Sequence, residues 1–144
     1  MIASARWKRE QLYEAQSGAG HTVQIDASAT HANGPTPMDL VLMALCACTS
    51  VDVVSILAKK REPFTGLTVS ARAQQSPQPP RTFTHIQLIY RVSGNPSKKA
   101  VEDAVSLSKN KYCSVSKMLE KSAEIEFTIE YADEQENTEG SKQS

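Results

Sequence analysis

Three cysteines are the residues of this chain with the clearest capacity for chemistry. Cys46 and Cys48 share one apolar stretch, and Cys113 lies far along the chain. No two of them have the Cys-x-x-Cys spacing typical of structural zinc sites or thioredoxin-like motifs. Such thiols are either inert, buried groups or reactive nucleophiles, and their neighbours must decide between these two interpretations.

Cys46 and Cys48 are predicted to face opposite sides of one helix, because two residues turn a helix by about 200°. They therefore cannot bond to each other, and only one of them can reach a given site. Asp52 follows Cys48 by one turn, and its ionised carboxylate would disfavour a thiolate there. A reactive Cys48 therefore needs a cation or a hydrogen-bond donor that also engages Asp52.

Cys113 has a different sequence environment. It lies at the predicted start of a helix, with Lys109 and Lys111 just before it. Free backbone N–H groups at a helix start and nearby positive charge both favour a thiolate. The alternative is that Cys113 only occupies a helix cap, and its own neighbours do not choose between the two.

A zinc site built from Cys48, Asp52, Cys113 and a histidine is disfavoured, because no ligand pair has a common local spacing. His85 lies within a predicted strand, where a histidine is more often a packed or surface residue than a catalytic base. The sequence has no Gly-rich phosphate loop and no Ser-His-Asp pattern of a hydrolase. We therefore predict neither a metal nor a cofactor.

The composition favours one small domain without a nucleic-acid partner. The chain has 144 residues, and its 16 basic residues balance its 16 acidic ones, so no charge excess points to nucleic acid or an anionic membrane. The N-terminus lacks the apolar run of a secretory signal, which predicts a cytoplasmic protein. Residues 40–58 are nearly long enough to span a bilayer, but they include Asp52 and favour a buried core helix.

The hydrophobic pattern predicts a mixture of strands and helices. Thr36 and Pro37 provide the N-cap and first position of a helix over residues 37–60. Its apolar residues surround it, so a second subunit is the simplest way to cover it. The other predicted elements are strands over 2–9, 20–28, 67–72, 82–92 and 125–131, with a turn at 17–20, and helices after residue 96 and over 114–122.

The expected domain covers residues 1–132. The last dozen residues, 133–144, contain no large apolar side chain and are predicted to form a disordered tail.

Two motifs give the chain a family resemblance. GPTPMDL (residues 34–40) followed by LMALCAC (residues 42–48) resembles the central-helix motif of the OsmC/Ohr superfamily, and KYCSVS (residues 111–116) matches its second-cysteine motif. Three further segments resemble the YhfA-like branch of that superfamily: residues 51–57, 81–86 and 118–121. The similarity extends over about residues 2–131.

The resemblance implies an α+β, OsmC-like fold, with antiparallel sheets wrapped around two long central helices in an intertwined homodimer. It also implies a thiol-dependent organic hydroperoxide reductase in oxidative-stress defence. Cys48 would attack the peroxide and become a sulfenic acid, and Cys113 would resolve that acid to a disulfide. A small thiol or dithiol would then reduce the pair.

The chain departs from the pattern of the family's peroxidases, which pair an arginine after a Gly-rich turn with a glutamate near the start of the central helix. Here the turn carries no arginine, and Met38, followed by Asp39, stands at the glutamate position. Arg81 and His85 are the candidate replacements for the cation. The alternative function is a dimer that binds a small acyl or hydrophobic ligand, or a thiol carrier, with little or no peroxidase activity.

Overall fold

The computed structural model describes residues 1–132, so the predicted disordered tail, 133–144, lies outside the described residues. The chain combines strands and helices in one α+β arrangement. In order, these are β1 (Ala3–Arg9), β2 (Leu12–Ser17), β3 (Thr22–Asp26), α1 (Pro37–Lys59), β4 (Phe64–Gln75), β5 (Phe83–Gly94), α2 (Lys98–Leu107), a π-helical turn (Ser108–Tyr112), α3 (Ser114–Leu119) and β6 (Glu124–Ala132).

The chain divides into two compact units, and the first comprises Met1–Met43. It contains an antiparallel sheet in the order β1-β2-β3. The expected turn at residues 17–20 is present, with the Gly20 N–H donating to the Ser17 carbonyl at 2.9 Å. It connects β2 to β3, and β2 itself is a strand that the sequence pattern did not predict.

The start of α1 is fixed by a reciprocal pair of hydrogen bonds. The Asp39 N–H donates to the Thr36 hydroxyl at 3.1 Å, and the Thr36 N–H donates to the Asp39 carboxylate at 3.0 Å. This is a capping box, in which each side chain satisfies a backbone donor that the helix cannot. The predicted N-cap is therefore confirmed, and α1 begins at Pro37 as expected.

The second unit begins at Ala44 and contains a sheet in the order β4-β5-β6. β4 and β5 form the predicted antiparallel hairpin, but β6 pairs with β5 in parallel. The sheet is therefore mixed: the predicted α+β fold is confirmed, but β6 pairs in parallel where antiparallel sheets were expected. The cause is the helical crossover between β5 and β6, since only a long connection can bring a strand back in parallel.

The helices of the second unit bury narrow stripes. α1 buries Leu45, Thr49, Val53 and Leu57, which recur every four residues, while Met43, Val51 and Val54 remain exposed. The described chain therefore does not cover α1 on all sides. Only α1, at 23 residues, is long; α2 has 10 residues and continues into the π turn.

α1 is long and apolar enough to cross a membrane by length and composition alone. The same property is typical of the core helix of a soluble protein, and α1 buries polar as well as apolar side chains: Thr49 is 1% exposed. We interpret α1 as the core helix of a soluble fold, as the sequence predicted.

Candidate functional site

Cys48 and Cys113 lie together in the second unit. Cys48 is half-buried in the middle of α1, and Cys113, which is 2% exposed, connects the π turn to α3. The Cys48 thiol is close enough to raise the pKa of Cys113. The fold thus brings near each other two cysteines that are 65 positions apart in the sequence.

Burial dominates the electrostatics of Cys113. Its side chain caps α3 and accepts a hydrogen bond from the Ser116 N–H at 3.4 Å. Burial nevertheless raises the pKa of Cys113 to about 12; the Ser116 hydrogen bond lowers it, whereas the neighbouring Cys48 and Asp52 raise it further. The expected helix start is present, but the expected preference for thiolate was wrong, because desolvation outweighs one cap hydrogen bond.

The two lysines before Cys113 have partners of their own. The Lys109 ammonium group lies 5.4 Å from the centroid of the Phe127 ring, and that of Lys111 lies 5.3 Å from the centroid of the Tyr112 ring. These are cation–π distances. The ammonium groups of Lys109 and Lys111 thus contact aromatic rings.

A chain of hydrogen bonds runs beside the thiols. The Tyr90 hydroxyl lies 2.6 Å from the Thr49 hydroxyl, which lies 2.8 Å from the Ser108 hydroxyl. Ser108 in turn donates to the Asp52 carboxylate at 2.8 Å. Tyr90, Thr49 and Ser108 are all fully buried, at 0–1% exposed, so this hydroxyl chain connects the core of the sheet to the carboxylate one turn beyond Cys48.

Ser108 is the residue that sequence analysis missed. It supplies the hydrogen-bond donor that Asp52 was predicted to need, and in the described part of the chain no cation does so. A signal was available, since Ser108 continues the buried stripe of α2 formed by Val101, Ala104 and Val105. A serine in such a stripe is expected to have a specific hydrogen-bond partner.

The π turn determines where Cys113 lies. Its first residue, Ser108, accepts a hydrogen bond from the Cys113 N–H at 2.8 Å, which closes one wide i→i+5 turn. π-helical turns are rare and frequently occur at functional sites. Ser108 therefore binds Asp52 through its side chain and Cys113 through its backbone.

A cavity of about 380 Å³ lies along α1, and its wall includes Asp52, one turn after Cys48, and Tyr112, the residue before Cys113. Ser55, Ile56, Lys59, Lys60 and Leu107 also line it. The lining residues of α1 recur at helical spacing on the face of Cys48. A small molecule in this cavity would lie against Asp52 and two lysines.

The remaining candidate residues have other structural roles. Asp39 caps α1, and hydrogen bonds from Thr36, with a smaller contribution from His31, hold its pKa below the ordinary value. Arg81 lies in the β4–β5 loop, where its carbonyl accepts a hydrogen bond from the Gln75 side chain. Burial raises the pKa of Cys46, the cysteine on the other side of α1.

His85 belongs to a surface cluster on the second sheet. Its Nδ1 lies 3.7 Å from Glu124 and its Nε2 lies 3.5 Å from Glu126, and the three side chains have ligand atoms close enough to hold a metal ion. The two ring nitrogens face different carboxylates, and both glutamates are more than half exposed. This geometry fits an ion pair between β5 and β6 rather than a role at Cys48.

The fold and the paired thiols define a family. A model of the family described as OsmC-like protein matches residues 30–128. This chain belongs to the OsmC-like family, within the OsmC/Ohr superfamily.

Protein YhfA of Escherichia coli strain K12 is a curated relative. It is 39% identical over 131 residues, which cover 90% of this chain and 97% of that protein.

Solved structures share the fold. A hypothetical protein from Aquifex aeolicus VF5 is 27% identical with a TM-score of 0.82, and the match covers 92% of this chain and 96% of that one. An OsmC-like protein from Mycoplasma pneumoniae has a TM-score of 0.81 at 17% identity, covering 91% and 96%. An organic hydroperoxide resistance protein from Elizabethkingia anophelis has a TM-score of 0.70 at 14% identity, covering 90% and 94%. The last two matches concern the fold alone.

Proposed function

We propose that this protein is a thiol-dependent hydroperoxide reductase in oxidative-stress defence, with Cys48 as the attacking thiol and Cys113 as the resolving thiol. The observation that supports this proposal is that Ser108 hydrogen-bonds both Asp52, one helical turn after Cys48, and the backbone N–H of Cys113, which keeps the two cysteines in one region of the fold. Solved structures of the same fold include three proteins named for organic hydroperoxide resistance. A partly exposed thiol with a second cysteine nearby is the arrangement that a two-cysteine mechanism needs.

The proposed reaction has two chemical steps. The Cys48 thiolate attacks the terminal peroxide oxygen, the O–O bond breaks, and the organic fragment takes a proton and leaves as an alcohol. Cys48 is then a sulfenic acid, and the Cys113 sulfur attacks it to form a disulfide and release water. A small thiol or dithiol, itself oxidised to a disulfide, returns both cysteines to thiols.

The hydroxyl chain supports the reactivity of Cys48. An ionised Asp52 beside the reacting thiol is unfavourable unless another group engages the carboxylate, and Ser108 does so at 2.8 Å. Asp39, Arg81 and His85 are not part of the proposed reaction, because a helix cap, a loop contact and a surface ion pair account for their positions. The family's arginine–glutamate pair has no counterpart in the proposal.

The proposed assembly is a homodimer in the cytoplasm. The exposed apolar face of α1, which includes Met43, Val51 and Val54, supports a second copy of this chain as the partner. Exposed apolar residues that share one helix face are typical of an interaction surface, and a two-fold related copy would present the same face in return.

A second candidate function is the binding of a small acyl or hydrophobic ligand without turnover. The cavity beside Asp52 supports it, because its volume lies in the range of small-molecule sites and its wall includes Ile56 and Leu107. The two functions differ in what Cys48 must do, so substitution of the cysteines separates them.

The test is a hydroperoxide consumption assay with dithiothreitol as the reductant. Wild type and the control Cys46→Ser should consume cumene hydroperoxide catalytically, faster than hydrogen peroxide. Cys48→Ser should be inactive, and Cys113→Ser should lose most of its turnover because the sulfenic acid is no longer resolved. If Cys48→Ser consumes peroxide as fast as wild type, the reductase proposal is wrong, and an inactive wild type favours the ligand-binding function.

A further inference from the structure

Cys113 presents a chemical problem for any reaction in which it attacks Cys48. A thiol that is 2% exposed holds its proton, yet sulfur attacks as the thiolate. The first helix turn after Cys113 offers one backbone N–H, that of Ser116, and the upstream lysines lie over aromatic rings. The attacking sulfur therefore needs a nearby base that removes its proton during the reaction.

Asp52 is the carboxylate that the fold brings to this position. It lies one helical turn from Cys48, on the same face of α1. Ser108 binds its Oδ2 at 2.8 Å and, through its own carbonyl, binds the Cys113 N–H at 2.8 Å. One residue thus holds both the carboxylate and the backbone of the resolving cysteine.

Asp52 also has a route for the proton once it has been accepted. It lines the cavity of about 380 Å³, together with Tyr112, the residue before Cys113. On the buried side, Ser108, the last hydroxyl of the chain, donates a hydrogen bond to Oδ2 of Asp52. The carboxylate therefore borders a space large enough for water or a small acid.

We propose that Asp52 accepts the proton of the Cys113 thiol when Cys113 attacks oxidised Cys48, and that Ser108 positions the two groups for this transfer. The S–H bond of Cys113 breaks as its electron pair forms the S–S bond. The S–O bond of the Cys48 sulfenic acid breaks, and the leaving hydroxide takes the proton from Asp52 and departs as water. The oxidant is the hydroperoxide, so this role in turnover rests on the proposed function.

The proton transfer can be tested without peroxide. In a Cys46→Ala background, dithiodipyridine converts Cys48 to a mixed disulfide and releases one thiopyridone, and attack by Cys113 then forms the Cys48–Cys113 bond and releases a second. The second leaving group needs no proton, so the second phase reports the removal of the Cys113 proton. Stopped-flow absorbance follows both phases.

Three variants distinguish a base from a purely structural carboxylate. Asp52→Asn, which can still accept the Ser108 hydrogen bond, should slow the second phase by at least about tenfold, since general bases contribute about 10²–10⁴-fold. Asp52→Ala should be equally slow and should recover with added acetate, which fits the cavity. Asp103→Asn, which changes an exposed carboxylate paired with Lys99, should match the parent protein.

The outcomes separate this inference from the proposed function. A second phase in Asp52→Asn within twofold of the parent overturns the role of Asp52, even if the protein reduces hydroperoxides. A slow phase in Asp52→Ala that acetate does not accelerate reduces Asp52 to a structural residue and also overturns the proposal. Absence of any second phase in the parent means that Cys113 is not activated at all.

Discussion

At the scale of single residues, burial separates the two cysteines of the pair. Local sequence placed Cys113 at a helix start and predicted a favoured thiolate, whereas the structure raises its pKa to about 12. Burial is also the main reason that the pKa of Tyr90, at the far end of the hydroxyl chain, is raised to about 12. Cys113 and Tyr90 thus lie in a core that favours their neutral forms.

These shifts predict a loss of stability at alkaline pH. The folded-state pKa values exceed the ordinary values of 9.0 for cysteine and 10.0 for tyrosine, so both groups stabilise the fold below those values. The contribution is lost as pH rises toward 12, because only the unfolded chain then releases the protons. Urea unfolding across this window should show a decrease of roughly a few kcal/mol.

Single substitutions check the origin of that decrease. Cys113→Ala and Tyr90→Phe should each flatten the dependence of unfolding free energy on pH, whereas Tyr112→Phe, at an exposed tyrosine, should not. An unchanged slope in both core variants would mean that other groups cause the alkaline loss.

Thr49 should be the most sensitive link of the hydroxyl chain, because it contacts both Tyr90 and Ser108. Thr49→Val keeps the shape of the side chain but leaves two buried hydroxyls short of a partner, which should cost about 1–3 kcal/mol. Thr68→Val, the same change at an exposed strand position, should cost little. Equal unfolding free energies for the two variants, measured by urea denaturation, would show that the chain adds nothing to stability.

At the scale of elements, the sequence predicted the elements with strong propensity and missed two that lack it. The apolar run of α1 and the Thr36 cap predicted the helix almost to the residue, and the alternation in β5 predicted a strand. β2 was missed although Tyr13-Glu14-Ala15-Gln16 alternates apolar and polar residues, because glutamate and alanine are depleted in strands. The π turn was missed because the backbone adopts it only when the contacts of Ser108 stabilise it.

The π turn makes a testable geometric claim. Deletion of Asn110, an exposed residue within it, should allow a regular helix to form and rotate Cys113 by about 100° relative to α2. The protein should remain folded by circular dichroism but should no longer form the Cys48–Cys113 disulfide upon oxidation. Asn110→Ala is the matched control and should form it normally; a disulfide in the deletion variant would show that the extra residue is dispensable.

At the scale of the whole molecule, the family was predictable from two motifs, but the site was only partly so. Cys48 and Cys113 could be named from the resemblance, while their proximity depends on contacts among α1, β5 and the π turn that no local pattern encodes. The parallel pairing of β6 has the same origin, since its own residues are compatible with either direction. The exposed face of α1 was predicted, because the sequence indicated an apolar helix that a single chain does not cover.

That face predicts the oligomeric state. Wild type should sediment at twice the mass of one chain, because association would bury Val51, which is 67% exposed, and its apolar neighbours. Val51→Glu should shift the population toward monomer in sedimentation velocity experiments. Thr68→Glu, on the exposed side of β4, should leave the dimer intact; a monomeric wild type would contradict the proposed assembly.

The central claim, that Cys48 and Cys113 react as a pair, is tested most directly by mass spectrometry of the oxidised protein. Reduced protein treated with one equivalent of cumene hydroperoxide, then blocked and digested without reductant, should yield a peptide pair joined through Cys48 and Cys113, with Cys46 alkylated. Cys113→Ser should instead accumulate sulfenic acid at Cys48. Oxidation of wild type that leaves Cys48 and Cys113 unlinked would contradict the account.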